Sequence, residues 1–217
     1  MKFAGFPEQA LVFYEGLEAD NSKPYWTDHK ADYDSCVREP MEALLAELEP
    51  EFGGWKIFRP YRDVRFSKDK TPYKTAIGAV AASDRPVGTL YVQLSAAGLM
   101  VGGGVYHASR DQVERLRRAV ADDTPGAELE RTVAALRKAG YRVDGDEMTR
   151  IPRGYPADHP RAELLRYRSV IGYREWPPEP WLHDRSALRR VRTGWRGLEA
   201  LNAWLAANVG AAAEPRR

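Results

Sequence analysis

The sequence predicts an α+β fold, a single domain in which helices lead, a mostly antiparallel central sheet follows and helices close the chain. Three observations carry this. Apolar residues recur at helical spacing near both ends. The segments 75–82 and 88–107 are rich in small, branched and aromatic residues. No low-complexity linker or internal repeat interrupts the 217 residues, a length that suits one substantial domain.

Residues 6–20 read as a helix because Phe6, Ala10, Leu11, Tyr14 and Leu17 share one face and Pro7 suits a first turn. "DNSKPY" breaks it. A second helical stretch places Trp26, Tyr33, Val37, Met41, Leu44, Leu45 and Leu48 near helical spacing, with Pro40 expected to kink or split it. "EFGGWK" ends the helical region. In the middle, "SAAG" (95–98) is expected to join two strands as a hairpin, Gly98 supplying the unusual backbone angle. Ser109 and Gln112 in "SRDQ" form a capping box ahead of a helix burying Val113, Leu116 and Val120. Thr124 and Pro125 open another, which Gly140 closes. Asp144-Gly145 reads as a hairpin turn, followed by a short helix in "PRAELLR" and a strand in "RSVIGYREW". A closing helix or helix pair spans 184–208. The expected domain is 1–209, with 210–217 as a disordered tail.

The composition excludes several classes. Hydrophobic residues at 43% and charged residues at 29% are ordinary for a globular protein, and the net charge of +2 is not that of a polycation that binds nucleic acid in bulk. Pro7, Glu8 and Gln9 stand where a signal peptide needs an apolar core, and no apolar run approaches the roughly 18 residues of a membrane span. Cys36 is the one cysteine, and the four histidines lack metal-ligand spacing. The expectation is a soluble, cytoplasmic protein with no metal, no cofactor and no membrane partner.

Against that background residues 59–74, "RPYRDVRFSKDKTPYK", stand out. Six cations crowd the segment, threaded by Tyr61, Phe66 and Tyr73 and relieved by Asp63 and Asp69. The stretch fits R-x-x-R-D-x-R-F-x-x-D-K-x-x-Y-K throughout. It resembles the signature of a family of bacterial and some fungal proteins, domain of unknown function 2461. The resemblance extends to "NSKPYWTDHKADY", "VGGGVYH" and "IPRGYPADHPRAELLRYR", so that it runs nearly end to end. Tyr25-Trp26 replaces the more usual Trp-Phe pair and keeps its aromatic character. The resemblance implies no activity.

The residues therefore have to be read physically. Strand alternation would set Arg62, Val64 and Phe66 against Tyr61, Asp63 and Arg65, placing Asp63 where it can hold the Arg65 guanidinium in a fixed fork. The functional expectation is a pocket for an anionic small molecule bearing phosphate or carboxylate. Arg59, Arg62, Arg65, Lys70 and Lys74 would be donors, Asp63 and Asp69 orienters, and Gly102, Gly103 and Gly104 a side-chain-free floor. If chemistry occurs, Asp63, Lys70 and Tyr73 are the candidates for proton transfer or phosphoryl or acyl handling. Two rivals stay open. One is a nucleic-acid-binding module, with the same cations on phosphates and Tyr61, Phe66 or Tyr73 stacking on bases. The other is a structural or interaction protein whose arginines form salt bridges. A second basic wall is conceivable from Arg153, Arg161, Arg166 and Arg168; an irregular loop capped by Asp158 or His159 is the simpler reading.

Overall fold

The computed structural model describes residues 2–65, 68–81 and 87–213. Its elements in chain order are α1 (Glu8–Ala19), α2 (Lys23–Asp28), α3 (Lys30–Asp32), a π-helical run (Tyr33–Arg38) and α4 (Glu39–Phe52), then β1 (Trp55–Ile57), β2 (Ala76–Ala81), β3 (Thr89–Ser95) and β4 (Gly98–Val105). After these come α5 (Arg110–Ala121), α6 (Asp123–Lys138), β5 (Arg142–Asp144), α7 (Ala162–Leu165), β6 (Val170–Trp176), a 3-10 turn (Pro180–His183), α8 (Ser186–Gly197) and α9 (Glu199–Asn208). The strands form an antiparallel sheet in the order β1-β2-β3-β4-β6-β5, and the fold class is α+β. The chain contains two compact units, one of Met1–Ser83, Tyr91–Val101 and Glu175–Thr193, the other of Asp84–Leu90, Gly102–Arg174 and Gly194–Arg217.

In the first unit α1 buries Ala10, Leu11, Phe13, Tyr14 and Leu17, and Pro7 takes the cap position before the helix. Pro40 has the effect its missing N–H requires. The Glu39 N–H reaches back five residues to the Asp34 carbonyl, so the chain runs as a π-helix until proline begins the regular helix α4. Helix α4 then lays Met41, Leu44, Leu45, Leu48 and Phe52 inward and packs on β1 and β2. Glu47 on this helix accepts the Phe3 N–H at 2.7 Å and both arms of Arg185, at 3.0 and 2.6 Å, tying the first residues down. The "SAAG" hairpin is present, with Gly98 at φ +112°.

In the second unit the capping box of α5 is formed, Gln112 Oε1 accepting the Ser109 N–H at 2.9 Å. Helix α6 packs on α5, β5 and α9. Asp144-Gly145 makes no hairpin. Asp144 pairs with Ile171, and the chain makes a long excursion before it returns as β6. Glycine is needed at 145 for another reason, since a Cβ there would stand 2.0 Å from the Ser169 carbonyl oxygen. Residues 210–213, at the start of the segment expected to be a disordered tail, are hydrogen-bonded to α5. Gln112 Nε2 donates to the Gly210 carbonyl at 2.8 Å and the Ala213 N–H to Asp111 at 2.9 Å. Residues 214–217 lie outside those described.

Arg161 has the most demanding environment of the second unit. Only 7% exposed, it donates through Nε to the Val120 carbonyl at 2.6 Å, and through Nη2 to the Ala121 carbonyl and to Asp123, each at 3.1 Å. It thereby closes the C-terminal end of α5, whose last carbonyls have no partner within the helix. Arg161→Ala should cost about 2–4 kcal/mol by stranding these acceptors. Urea denaturation checks this; a loss below about 1 kcal/mol would show that solvent replaces the side chain.

Candidate functional site

Residues 59–74 form a loop closed at its base within the first unit. The Arg62 N–H donates to the Pro72 carbonyl and the Lys74 N–H to the Pro60 carbonyl, each at 2.8 Å, flanking an isolated antiparallel bridge between Tyr61 and Tyr73. The base is fixed from the core side. Tyr73, 5% exposed, stacks on Trp26 with ring centroids 4.5 Å apart and planes 9° apart. Asn21 supplies what a neighbouring strand would, its amide accepting the Tyr73 N–H at 3.0 Å and donating to the Tyr73 carbonyl at 3.1 Å. In the sequence Asn21 stands out only as the first residue of the family-like segment "NSKPYWTDHKADY", which assigns it no role.

Beyond the base none of the described residues lies in a strand, so the alternation expected of "YRDVRF" does not organise the side chains; Phe66 lies outside the described residues. Asp63 and Arg65 nonetheless meet, through a local turn. Arg65 donates through Nε to Oδ1 at 2.9 Å, through Nη2 to Oδ2 at 2.7 Å and through its backbone N–H to Oδ1 at 3.3 Å. An aspartate that bonds the backbone two residues on needs no sheet to hold it. Asp69 does the same with Thr71, accepting its N–H at 2.9 Å and its hydroxyl at 2.7 Å, and Arg62 donates to both Asp69 and Thr71. Lys70 Nζ donates to the Val64 carbonyl at 2.9 Å. Arg59 and Lys74 have no carboxylate partner among the described residues, and Lys74 lies 5.5 Å from the Phe58 ring centroid.

The charges respond accordingly. The Arg65 side chain, then its backbone N–H, holds the Asp63 carboxyl down at about 2. Thr71 and Arg62 lower Asp69. Burial, followed by Arg59 and Arg62, lowers Lys74, so the segment carries cationic repulsion at a partly buried ammonium. Burial and Tyr61 raise Tyr73, disfavouring its phenolate.

Gly102, Gly103 and Gly104 belong to the second unit and are buried. At two of them their own unit fills the space a side chain would take: a Cβ at Gly103 would meet Leu90, Asn202 and Leu198 at 3.2–3.3 Å, and at Gly104, φ +128°, the Val170 carbonyl oxygen at 2.3 Å. In the candidate second wall, Arg161 is buried as described, and Arg166 and Arg168 pair with Glu147 and Asp146, each at 2.7 Å. His159 Nδ1 accepts the Arg161 N–H at 3.0 Å, the capping expected of that loop. Among the described residues no cluster of histidine, cysteine, aspartate and glutamate could hold a metal, and no helix is long and apolar enough to cross a membrane.

Fold and loop together define an α+β protein that displays a stapled cationic loop. The sequence profile of the family described as conserved hypothetical protein, DUF2461, matches residues 9–204, and the chain belongs to that family. No curated protein and no solved structure matches it.

Two outcomes are expected of the loop. Asn21→Ala should cost about 1–2 kcal/mol and speed hydrogen exchange at the Tyr73 and Arg62 amides; unchanged exchange would show that the stack alone holds the base. Asp63 has a depressed carboxyl, so its contribution is present above the usual carboxylate range and is lost as pH falls through about 2. A carbon-detected NMR titration of Arg65→Ala should raise Asp63 toward the ordinary range, the backbone N–H at 65 and Arg59 keeping part of the depression. An unmoved midpoint would assign the depression to another group.

Proposed function

We propose that the 59–74 loop binds an anionic small molecule bearing phosphate or carboxylate at its base. Arg59 and Lys74 are the open donors, with Arg62 and Arg65 held as oriented guanidiniums by Asp69 and Asp63. One observation carries this: Lys74 is partly buried beside Arg59 and Arg62, and neither Lys74 nor Arg59 has a carboxylate partner among the described residues. Removing a cation from water beside like charges is unfavourable, and a bound anion reverses the sign of that interaction. Binding is better supported than proton transfer. Asp63 at about 2 is a weak base, Lys70 is engaged by a carbonyl, and the raised Tyr73 is a weak acid.

A structural role is the second reading, favoured by the Asp63–Arg65 and Arg62–Asp69 pairs closed inside the loop. Base stacking on nucleic acid has less support, since Tyr73 is buried against Trp26 and, among the described residues of the 59–74 loop, Tyr61, 49% exposed, is the one other ring. Calorimetric titration with inorganic phosphate separates the readings. Lys74→Ala should weaken phosphate binding by about ten-fold or more, the effect of losing one charged hydrogen bond, with little change in Tm. If wild-type protein takes up no phosphate and Arg62→Ala lowers Tm, the loop is structural.

A further inference from the structure

The second unit contains a cleft of about 480 Å³ that the loop does not line. One wall is a face of α5 carrying Arg110, Val113, Glu114 and Arg117. The opposite wall is Asp146 with Arg168, and Tyr106 and His107 follow β4 at its edge. The volume lies within the range of small-molecule sites. Two of its three arginines are neutralised in place, Arg110 by Glu114 at 3.3 Å and Arg168 by Asp146 at 2.7 Å.

Arg117 is different. No carboxylate pairs with it among the described residues. Its Nη2 meets the Met148 sulfur at 2.8 Å, and its Nε is buried without any hydrogen-bond partner. A thioether is a weak acceptor, and a guanidinium donor shut away from water and left unpaired is unfavourable by the full loss of its hydration. The side chain is not needed to close a helix, as Arg161 is. It is a cation on the wall of a concave site, and no carboxylate pairs with it among the described residues.

We infer that this cleft is a second, independent ligand site, and that its ligand is a small organic anion, a phosphate monoester or a carboxylate, carrying a flat ring. Arg117 takes the anionic group, with Arg168 on the facing wall adding positive field. The ring is assigned to Tyr106, which is 69% exposed and set edge-on to His107 with centroids 4.5 Å apart, leaving an aromatic face for stacking. Neither residue belongs to the 59–74 loop, so this inference stands or falls apart from the loop's role.

The test uses the full chain with phenyl phosphate, benzoate and inorganic phosphate as probes, followed by calorimetry and by NMR of the arginine Nε–H signals. Phenyl phosphate or benzoate should shift the Arg117 Nε–H signal, and which of the two binds more tightly identifies the anionic group. Arg117→Met should weaken the preferred probe about ten-fold or more, whereas Lys74→Ala should leave it unchanged. Tyr106→Ala, a change at an exposed position, should weaken phenyl phosphate or benzoate while sparing inorganic phosphate, and it decides the matter should Arg117→Met fail to fold. An Arg117 Nε–H signal that no probe moves, or binding that survives Arg117→Met and disappears in Lys74→Ala, overturns the inference.

Discussion

Tyr73 enters the core of the first unit because Trp26 offers it a parallel face 4.5 Å away, and the rest of the cationic loop depends on that stack. With the ring fixed, the Tyr73 backbone lies against Asn21 on one side and forms the bridge with Tyr61 on the other. The bridge sets Arg62 opposite Pro72 and Lys74 opposite Pro60. The loop is thus clamped at its base by an aromatic contact and a side-chain amide. Beyond the clamp, Asp63 and Asp69 shape it by bonding backbone two residues on, which confines two arginines without a sheet. Asp63, Arg65 and Asp69 are exposed, and such ion pairs contribute little to stability. Their physical consequence is order: guanidiniums held in one orientation lose less freedom when an anion arrives.

Elsewhere several arginines are matched to oxygen. Arg161 serves carbonyls at the end of α5, Arg185 binds both oxygens of Glu47, and Arg166 and Arg168 take acidic partners across their own segment. Arg166 and Arg192 also have a buried Nε without a hydrogen-bond partner but pair with Glu147 and Glu51, whereas Arg117 and Lys74 have no carboxylate pair among the described residues. A chain with 33 basic and 31 acidic residues has nearly enough counter-charge for every cation. A missing partner is therefore a matter of position, and position is what a ligand site requires.

Legibility in the sequence followed the range of the interaction. The capping box at Ser109, the hairpin at Gly98 and the effect of Pro40 are set within a few residues, and each is where its local chemistry puts it. Asp144-Gly145 carried an equally strong local signal and misled. Its glycine answers to Ser169, more than twenty positions away, and no turn chemistry reports that. The Asp63–Arg65 contact was legible although the strand that was to create it is absent, because the pairing is intrinsic to an aspartate with a donor two residues on. The role of Asn21, though the residue opens the family-like segment "NSKPYWTDHKADY", was not legible for the opposite reason: an asparagine acquires a strand-like role only when tertiary folding brings Tyr73 beside it.

The same difference in range explains why positive charge alone was an ambiguous guide. Sequence can count the cations in 59–74 but not how many are consumed, and the answer divides the segment. Arg62 and Arg65 are held by aspartates, Lys70 by a carbonyl, and Arg59 and Lys74 by no carboxylate among the described residues. Partial burial, then repulsion from Arg59 and Arg62, bears on the Lys74 ammonium. A polar group in that position lowers the free energy of the folded chain only when something of opposite charge is beside it. Where the chain supplies its own carboxylate, as at Arg65, the guanidinium is stapled in place; where it does not, as at Lys74, the cation keeps the cost of its partial burial beside like charges.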